Sequence, residues 1–300
     1  MGTLYLVRHG QASFGAEDYD QLSPLGQQQS LRLGQYFRHK GLAFEAVLTG
    51  TLRRQQQTYA AIREGMGASF AAGPPQGETA PLGLSSAAPG LPAQGGTERR
   101  AADSGSGLNS AVCEATSLGA PPAAAPGRPK QGCAPSGGSA VREATSVGAT
   151  LLWPGLNEYD SAAVIATVHP HPLQKPDTPE LYRHHFRLLR DGLTQWMNGV
   201  VSPNGMPSYR EFQLGVTSAL DHVRNNCNGN VLIVSSGGPI ATAVGHVLGV
   251  TPETTIELNL RIRNSAITEF AFNPKRHTLL SYNTLPHLEH ADHADWVTYA

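Results

Sequence analysis

From Met66 to Thr150 the chain is a tract of Ala, Gly, Pro and Ser whose only aromatic residue is Phe70, and this tract limits what the rest can fold into. Such a segment buries too little apolar surface to offset the entropy of ordering it. Its acidic residues (Glu78, Glu98, Asp103, Glu114, Glu143) match its basic ones (Arg99, Arg100, Arg128, Lys130, Arg142) in number, so 66–150 reads as a neutral, flexible, disordered insertion. Within it, Ser110–Ala120 recurs as Ser139–Ala149 at a spacing of 29 with two substitutions. A solenoid would show a repeated apolar face and at least three copies, so these two polar copies read as a duplicated linker. The foldable chain is then 1–65 joined to 151–300, expected to form a single domain.

Both flanking pieces alternate strand and helix signals. Thr3–Val7 and Ala46–Leu48 are short apolar strand runs. Between them Ser23 can cap a helix with Pro24 in its first turn and Leu25, Leu31, Leu33 and Phe37 on its apolar face. A second helix should start near Leu52 and carry Tyr59 and Ile62. After the insertion, Leu181–Met197 has a helical pattern, and Ser208-Tyr-Arg-Glu211 is a capping box for a helix carrying Phe212, Val216, Leu220 and Val223. Val231–Val234 is a buried-strand signature, followed by Ser235-Ser-Gly-Gly-Pro239 and an Ala-rich helix. Two closing strands are expected near Ala266–Phe272 and Thr278–Tyr282. The fold class is therefore α/β, a mostly parallel central sheet flanked by helices on both faces.

Lys plus Arg number 22 against 23 Asp plus Glu, so no broad field draws nucleic acid or anionic lipid to this chain. Neither nucleic acid nor a membrane is an expected partner. No apolar run approaches the roughly 18 residues that span a bilayer, and no basic stretch with an apolar core opens the chain, so a cytoplasmic location is expected. Cys113, Cys133 and Cys227 form an odd set without metal-ligand spacing, which reads as incidental reduced thiols.

Any bound anion must then be gripped locally, and Arg8-His9-Gly10 supplies the means where the first strand ends, the edge at which open α/β sheets bind ligands. A neutral imidazole can attack phosphorus, a neighbouring guanidinium can bind the phosphoryl oxygens in bidentate fashion, and Gly10 would let a phosphate approach the backbone.

Leu6-Val-Arg-His-Gly10, Leu22-Ser-Pro-Leu-Gly26 with Gln29, and Leu52-Arg-Arg-Gln-Gln-Gln-Thr58 together resemble motifs of the histidine phosphatase superfamily, the group that includes cofactor-dependent phosphoglycerate mutases. The resemblance covers nearly everything except the insertion and implies a phosphoglycerate mutase-like catalytic domain over 1–65 and 151–300. It implies that His9 is the nucleophile, that Arg8 and Arg54 bind phosphate, with Arg53 the competing neighbour, and that Glu158 in Leu156-Asn-Glu158 is the general acid. A carboxylic acid raised in pKa by burial suits that last role. Tyr159-Asp160-Ser161 stands where the family usually carries Trp-Glu-Gly.

The largest departure is Ser236. The family pattern is Val-Ser-His-Gly, whose histidine binds phosphate, whereas this chain has Val234-Ser-Ser-Gly237. Ser236 can donate one hydrogen bond but adds no charge; Gly237 and Gly238 amides at a helix start can compensate in part. Losing one preorganised donor commonly costs about 10²- to 10³-fold in turnover. His169 and His171, flanked by prolines, and His287 are candidates to fill the gap; of His184 and His185, at most one can face inward from a helix. His287, His290 and His293 fall three apart, a metal-compatible spacing without a carboxylate partner, so no metal is expected.

The leading expectation is a phosphomonoester hydrolase acting on a small-molecule or protein substrate through a phosphohistidine on His9, needing no metal or organic cofactor. A phosphoglycerate mutase-type isomerase, and a catalytically impaired protein that binds phosphate or a partner, remain as alternatives. The oligomeric state is left unspecified by the pattern.

Overall fold

The computed structural model describes residues 1–13, 20–67, 150–174 and 178–299. Its centre is a six-stranded sheet of order β3-β2-β4-β1-β5-β6. Here β1 is Gly2–Arg8, β2 Ala46–Thr49, β3 Thr150–Leu152, β4 Asn230–Ser235, β5 Ile267–Asn273 and β6 Arg276–Thr284. The strands β3, β2, β4 and β1 run parallel, while β5 and β6 add an antiparallel edge beyond β1. The expected insertion falls outside the described residues except at its edges: Met66 ends a helix and Thr150 opens β3.

Alternation along the strands explains why helices cover both faces. Leu4, Leu6, Val231 and Ile233 point to one side and pack with Val216, Leu220 and Val223 of α5 (Tyr209–Asn226) and Ile240 and Val244 of α6 (Gly237–Leu248). Val7, Val47, Leu232 and Val234 point to the other, against Leu33 and Phe37 of α1 (Pro24–His39) and Ile62 of α2 (Arg53–Met66). Every one of these side chains is buried, each contributing roughly 1.5–3 kcal/mol of transfer free energy.

Caps bound the helices as their side chains dictate. Ser23 accepts from the Gly26 amide at the start of α1, and Ser208 and Glu211 form the reciprocal box at α5. The buried face of α1 differs from the expected stripe: Leu25 and Leu31 are only half-buried, and the contact runs through Gly26, Gln29, Ser30, Leu33, Gly34 and Phe37. Small residues there let α1 approach α2, where a Cβ on Gly34 would stand 2.0 Å from the Ile62 carbonyl oxygen. Three further elements go beyond those expected from the pattern: β3, α3 (Ser161–Ala166) and α7 (Pro252–Arg261). The remaining helix, α4 (Pro179–Met197), begins two positions before the periodic stretch because Thr178 caps it.

Candidate active site

The carboxyl ends of β1, β4 and β2 converge, and the backbone N–H of His9 donates to the Ser235 carbonyl at 2.9 Å. His9 is almost fully buried, and its ring is fixed at both nitrogens. Nδ1 lies 2.7 Å from the Gly10 carbonyl oxygen, which can only accept, so Nδ1 carries the proton. Arg54 Nε, which can only donate, lies 3.3 Å from Nε2, so Nε2 presents its lone pair. Burial first, then the Arg8 and Arg54 charges, hold the imidazole pKa well below its ordinary 6.5.

Motif residues hold the loop after His9 in place. The Gly10 amide donates to Thr58 Oγ1 at 3.0 Å, and the Gln11 amide to Gln29 Oε1 at 2.8 Å. Gln29 Nε2 in turn donates to the Trp296 carbonyl and Thr298 Oγ1, and Gln57 Oε1 accepts from the Leu22 amide. Gly10 also answers a packing need. A Cβ there would meet the Gly26 carbonyl at 2.4 Å and Ser30 Oγ at 2.8 Å, so the glycine serves close packing against α1.

Arg54 is buried and faces His9 from the first turn of α2, while Arg53 is exposed. Asp20, remote in sequence, organises this turn. Its carboxylate accepts from the backbone amides of Arg53 at 2.9 Å and Arg54 at 3.4 Å and pairs with Arg54 Nη1 at 2.9 Å, a cap that Leu52 cannot provide. Asp20→Ala is expected to lower stability by about 1 kcal/mol, the usual cost of a lost helix cap, read as a shifted urea midpoint at unchanged slope. An unshifted midpoint would contradict that role.

Glu158 reaches the same cavity from the loop before α3. Asn157 anchors the loop to Thr51, its Oδ1 accepting from the Thr51 amide at 2.7 Å, and the Leu156 carbonyl accepts from Gln55 Nε2 and Ser235 Oγ. The Glu158 carboxylate accepts from the Gly238 amide at 3.1 Å and from its neighbour Tyr159 at 3.2 Å. Burial raises its pKa; those two amides and the two arginines oppose the rise without cancelling it. Arg8 donates to the Ile262 carbonyl and lies near Gly237, where an added Cβ would be 3.8 Å from Arg8 Nε.

Arg8, His9, Arg54 and Glu158 line one cavity of about 310 Å³. Ser236 and Gly237 are not among its lining residues. Ser236 is fully buried, and its Oγ accepts from Gln55 Nε2 at 2.9 Å. Among the alternative histidines, His185 of α4 lines the cavity, whereas His184 lies near His169 with ring centroids 6.1 Å apart. His287 is buried elsewhere, 2.9 Å from Ser265 Oγ; the Ser265 amide donates to the His9 carbonyl at 3.2 Å. Among the described residues no group of three or more His, Cys, Asp or Glu is arranged to hold a metal ion, and no helix is long and apolar enough to cross a membrane.

Burial drives the His287 pKa down to about 3. Below pH 6.5 the unfolded chain takes up a proton there that the folded chain refuses, so stability falls as pH drops toward 3 and levels off beneath it. The span corresponds to roughly 5 kcal/mol at about 1.4 kcal/mol per unit. His287→Gln should flatten this part of the stability profile; an unchanged acid slope would count against it.

This chain belongs to the histidine phosphatase superfamily, branch 1, whose family model matches residues 4–74 and 177–285. A broad-specificity phosphatase of Saccharomyces cerevisiae is 32% identical over 65 residues, 20% of this chain and 28% of the relative, so the match spans under a third of that protein. Solved structures extend the likeness across the fold. YhfR of Bacillus stearothermophilus aligns at TM-score 0.52 and 14% identity over 96% of this chain and all of its own. A mycobacterial glucosyl-3-phosphoglycerate phosphatase bound to VO3 aligns at TM-score 0.50 and 14% identity over 95% and 100% of the two chains.

Proposed function

We propose that the protein hydrolyses phosphomonoesters through a phosphohistidine on His9. The observation that carries this reading is the tautomer of His9: Nδ1–H is given to the Gly10 carbonyl, leaving the Nε2 lone pair in the cavity that Arg8, Arg54 and Glu158 share. Nε2 attacks phosphorus, Arg8 and Arg54 hold the phosphoryl oxygens, and Glu158 protonates the departing alkoxide. Glu158, now a carboxylate, takes a proton from the water that releases phosphate and regenerates His9. Ser236 and Gly237 stand at the start of α6 where the family places a second histidine, but neither lines the cavity and Ser236 adds no charge, so turnover should be modest. Membership of the superfamily and the broad-specificity yeast relative support hydrolysis.

The domain reading follows the same lines, with 1–65 and 151–300 forming the catalytic domain and 66–150 an insertion into it. A panel of phosphomonoesters tests the function directly: inorganic phosphate should be released. Conversion of 3-phosphoglycerate to its isomer with a bisphosphate primer, without release of phosphate, would instead favour the mutase. Phosphate binding without any turnover would favour the impaired phosphate-binding protein.

A further inference from the structure

The cavity has two chemically distinct ends. The phosphate end holds Arg8, His9 and Arg54. The other is walled by α4, where Tyr182, His185, Phe186 and Leu189 fall at helical spacings i, i+3, i+4 and i+7 and therefore share one face. The three rings brace one another, with centroids 5.3 Å apart for Tyr182 and Phe186 and 5.7 Å for His185 and Phe186. Tyr159 extends the wall and is itself held: Asn259 Nδ2 donates to its hydroxyl at 2.8 Å, and its ring packs 5.8 Å from that of Trp196.

Charge separates the ends as sharply. Among the described residues no lysine or arginine other than Arg8 and Arg54 lines the cavity, and both lie at the phosphate end. His185 is kept neutral near pH 7, because burial and its neighbour His184 lower its pKa. The acidic groups present are Glu158, used by the chemistry, and Asp160, whose carboxylate caps α3. A second anionic group on the substrate would meet the Asp160 carboxylate and, among the described residues, no lysine or arginine, losing hydration without a partner.

We infer that the site selects phosphomonoesters of compact, uncharged aromatic or apolar alcohols. The inference rests on the hydrolase reading for its chemistry but not for its binding preference. A volume of about 310 Å³ sits at the small end of the roughly 300–1,000 Å³ usual for small-molecule sites, enough for a phosphoryl group and one ring. Among the described residues no lysine or arginine lines the apolar end to clamp a second phosphate or a carboxylate.

Two measurements separate the inference from the reading beneath it. The first compares hydrolysis of 2-phenylethyl phosphate, sn-glycerol 3-phosphate and 3-phosphoglycerate, all with alkoxide leaving groups, so that leaving-group acidity does not masquerade as recognition. The phenyl compound should lead in kcat/KM by about tenfold to hundredfold, the scale of burying one ring-sized apolar group. The second measures binding of 2-phenylethylphosphonate and 2-carboxyethylphosphonate by calorimetry, which needs no turnover; the apolar phosphonate should bind about tenfold or more tightly. Phe186→Ala should shrink both ratios toward one, with a Tyr182→Ala variant, at a residue 37% exposed, as the second test if the first fails to fold. Equal or reversed preference in the phosphonate pair would overturn the inference and leave hydrolysis standing. Absence of turnover on all three esters beside a retained phosphonate preference would sink hydrolysis and leave the inference intact.

Discussion

His9→Ala is expected to lower phosphatase turnover by at least about 10⁴-fold while leaving inorganic phosphate bound within several-fold of wild type. The asymmetry follows from the geometry. On the proposed mechanism the ring supplies the attacking lone pair and the charges that hold phosphate sit on Arg8 and Arg54, while Arg54 keeps its turn of α2 through Asp20. Burial also keeps the imidazole neutral, so the nucleophile needs no general base. Steady-state kcat and the inhibition constant of phosphate check the two halves separately. A variant that turned over like the wild type would move the nucleophile away from His9; one that lost phosphate as well would mean the ring mainly supports the arginines.

Glu158→Gln should cost about 10²- to 10⁴-fold on alkyl phosphates, the range of general acid catalysis, and far less on 4-nitrophenyl phosphate, whose leaving group departs without a proton. The pH profile carries the same logic. Attack needs neutral His9, available above its pKa; protonation needs the acid form of Glu158, available below its own. With ordinary values of 6.5 and 4.5 the two required forms would hardly coexist. Burial moves His9 down and Glu158 up, which brings the two conditions toward each other. The acid limb of kcat/KM should therefore lie well below 6.5, the basic limb above the usual carboxylate range, and the glutamine variant should lose the basic limb. Equal losses on the alkyl and nitrophenyl esters would show that Glu158 does not deliver the proton.

Much of the fold is legible in the sequence, and the reasons are local. Val231–Val234 reads as a strand because four apolar residues run together, and Ser208-Tyr-Arg-Glu211 as a helix start because its capping box is contiguous. Arg54 could be set beside His9 by resemblance, and the fold agrees because α2 starts where β2 ends. What sequence hides is contact at a distance. Asp20 stands 33 residues from the turn it caps, and no local pattern points to it. Sequence marks His185 only as one of two helical histidines; which face of α4 meets the site depends on tertiary packing, not on period. The packing need at Gly10 is likewise hidden from sequence, since the backbone that crowds it belongs to α1. The start of α7 did carry a signal in Thr251-Pro252-Glu253, a cap with proline and an acidic first turn. The three-residue strand β3 carried almost none, because it follows directly on the Ala- and Gly-rich tract.

The central claim is a covalent bond between phosphorus and His9 Nε2. Rapid quench of the enzyme with a phosphomonoester, followed by proteolysis under alkaline conditions that preserve phosphohistidine, should yield the peptide containing His9 phosphorylated on that residue, with the label lost in acid. Steady hydrolysis with no phosphorylated histidine at any quench time, together with inversion at phosphorus from a chiral ester, would mean that water attacks directly and that His9 is not the nucleophile.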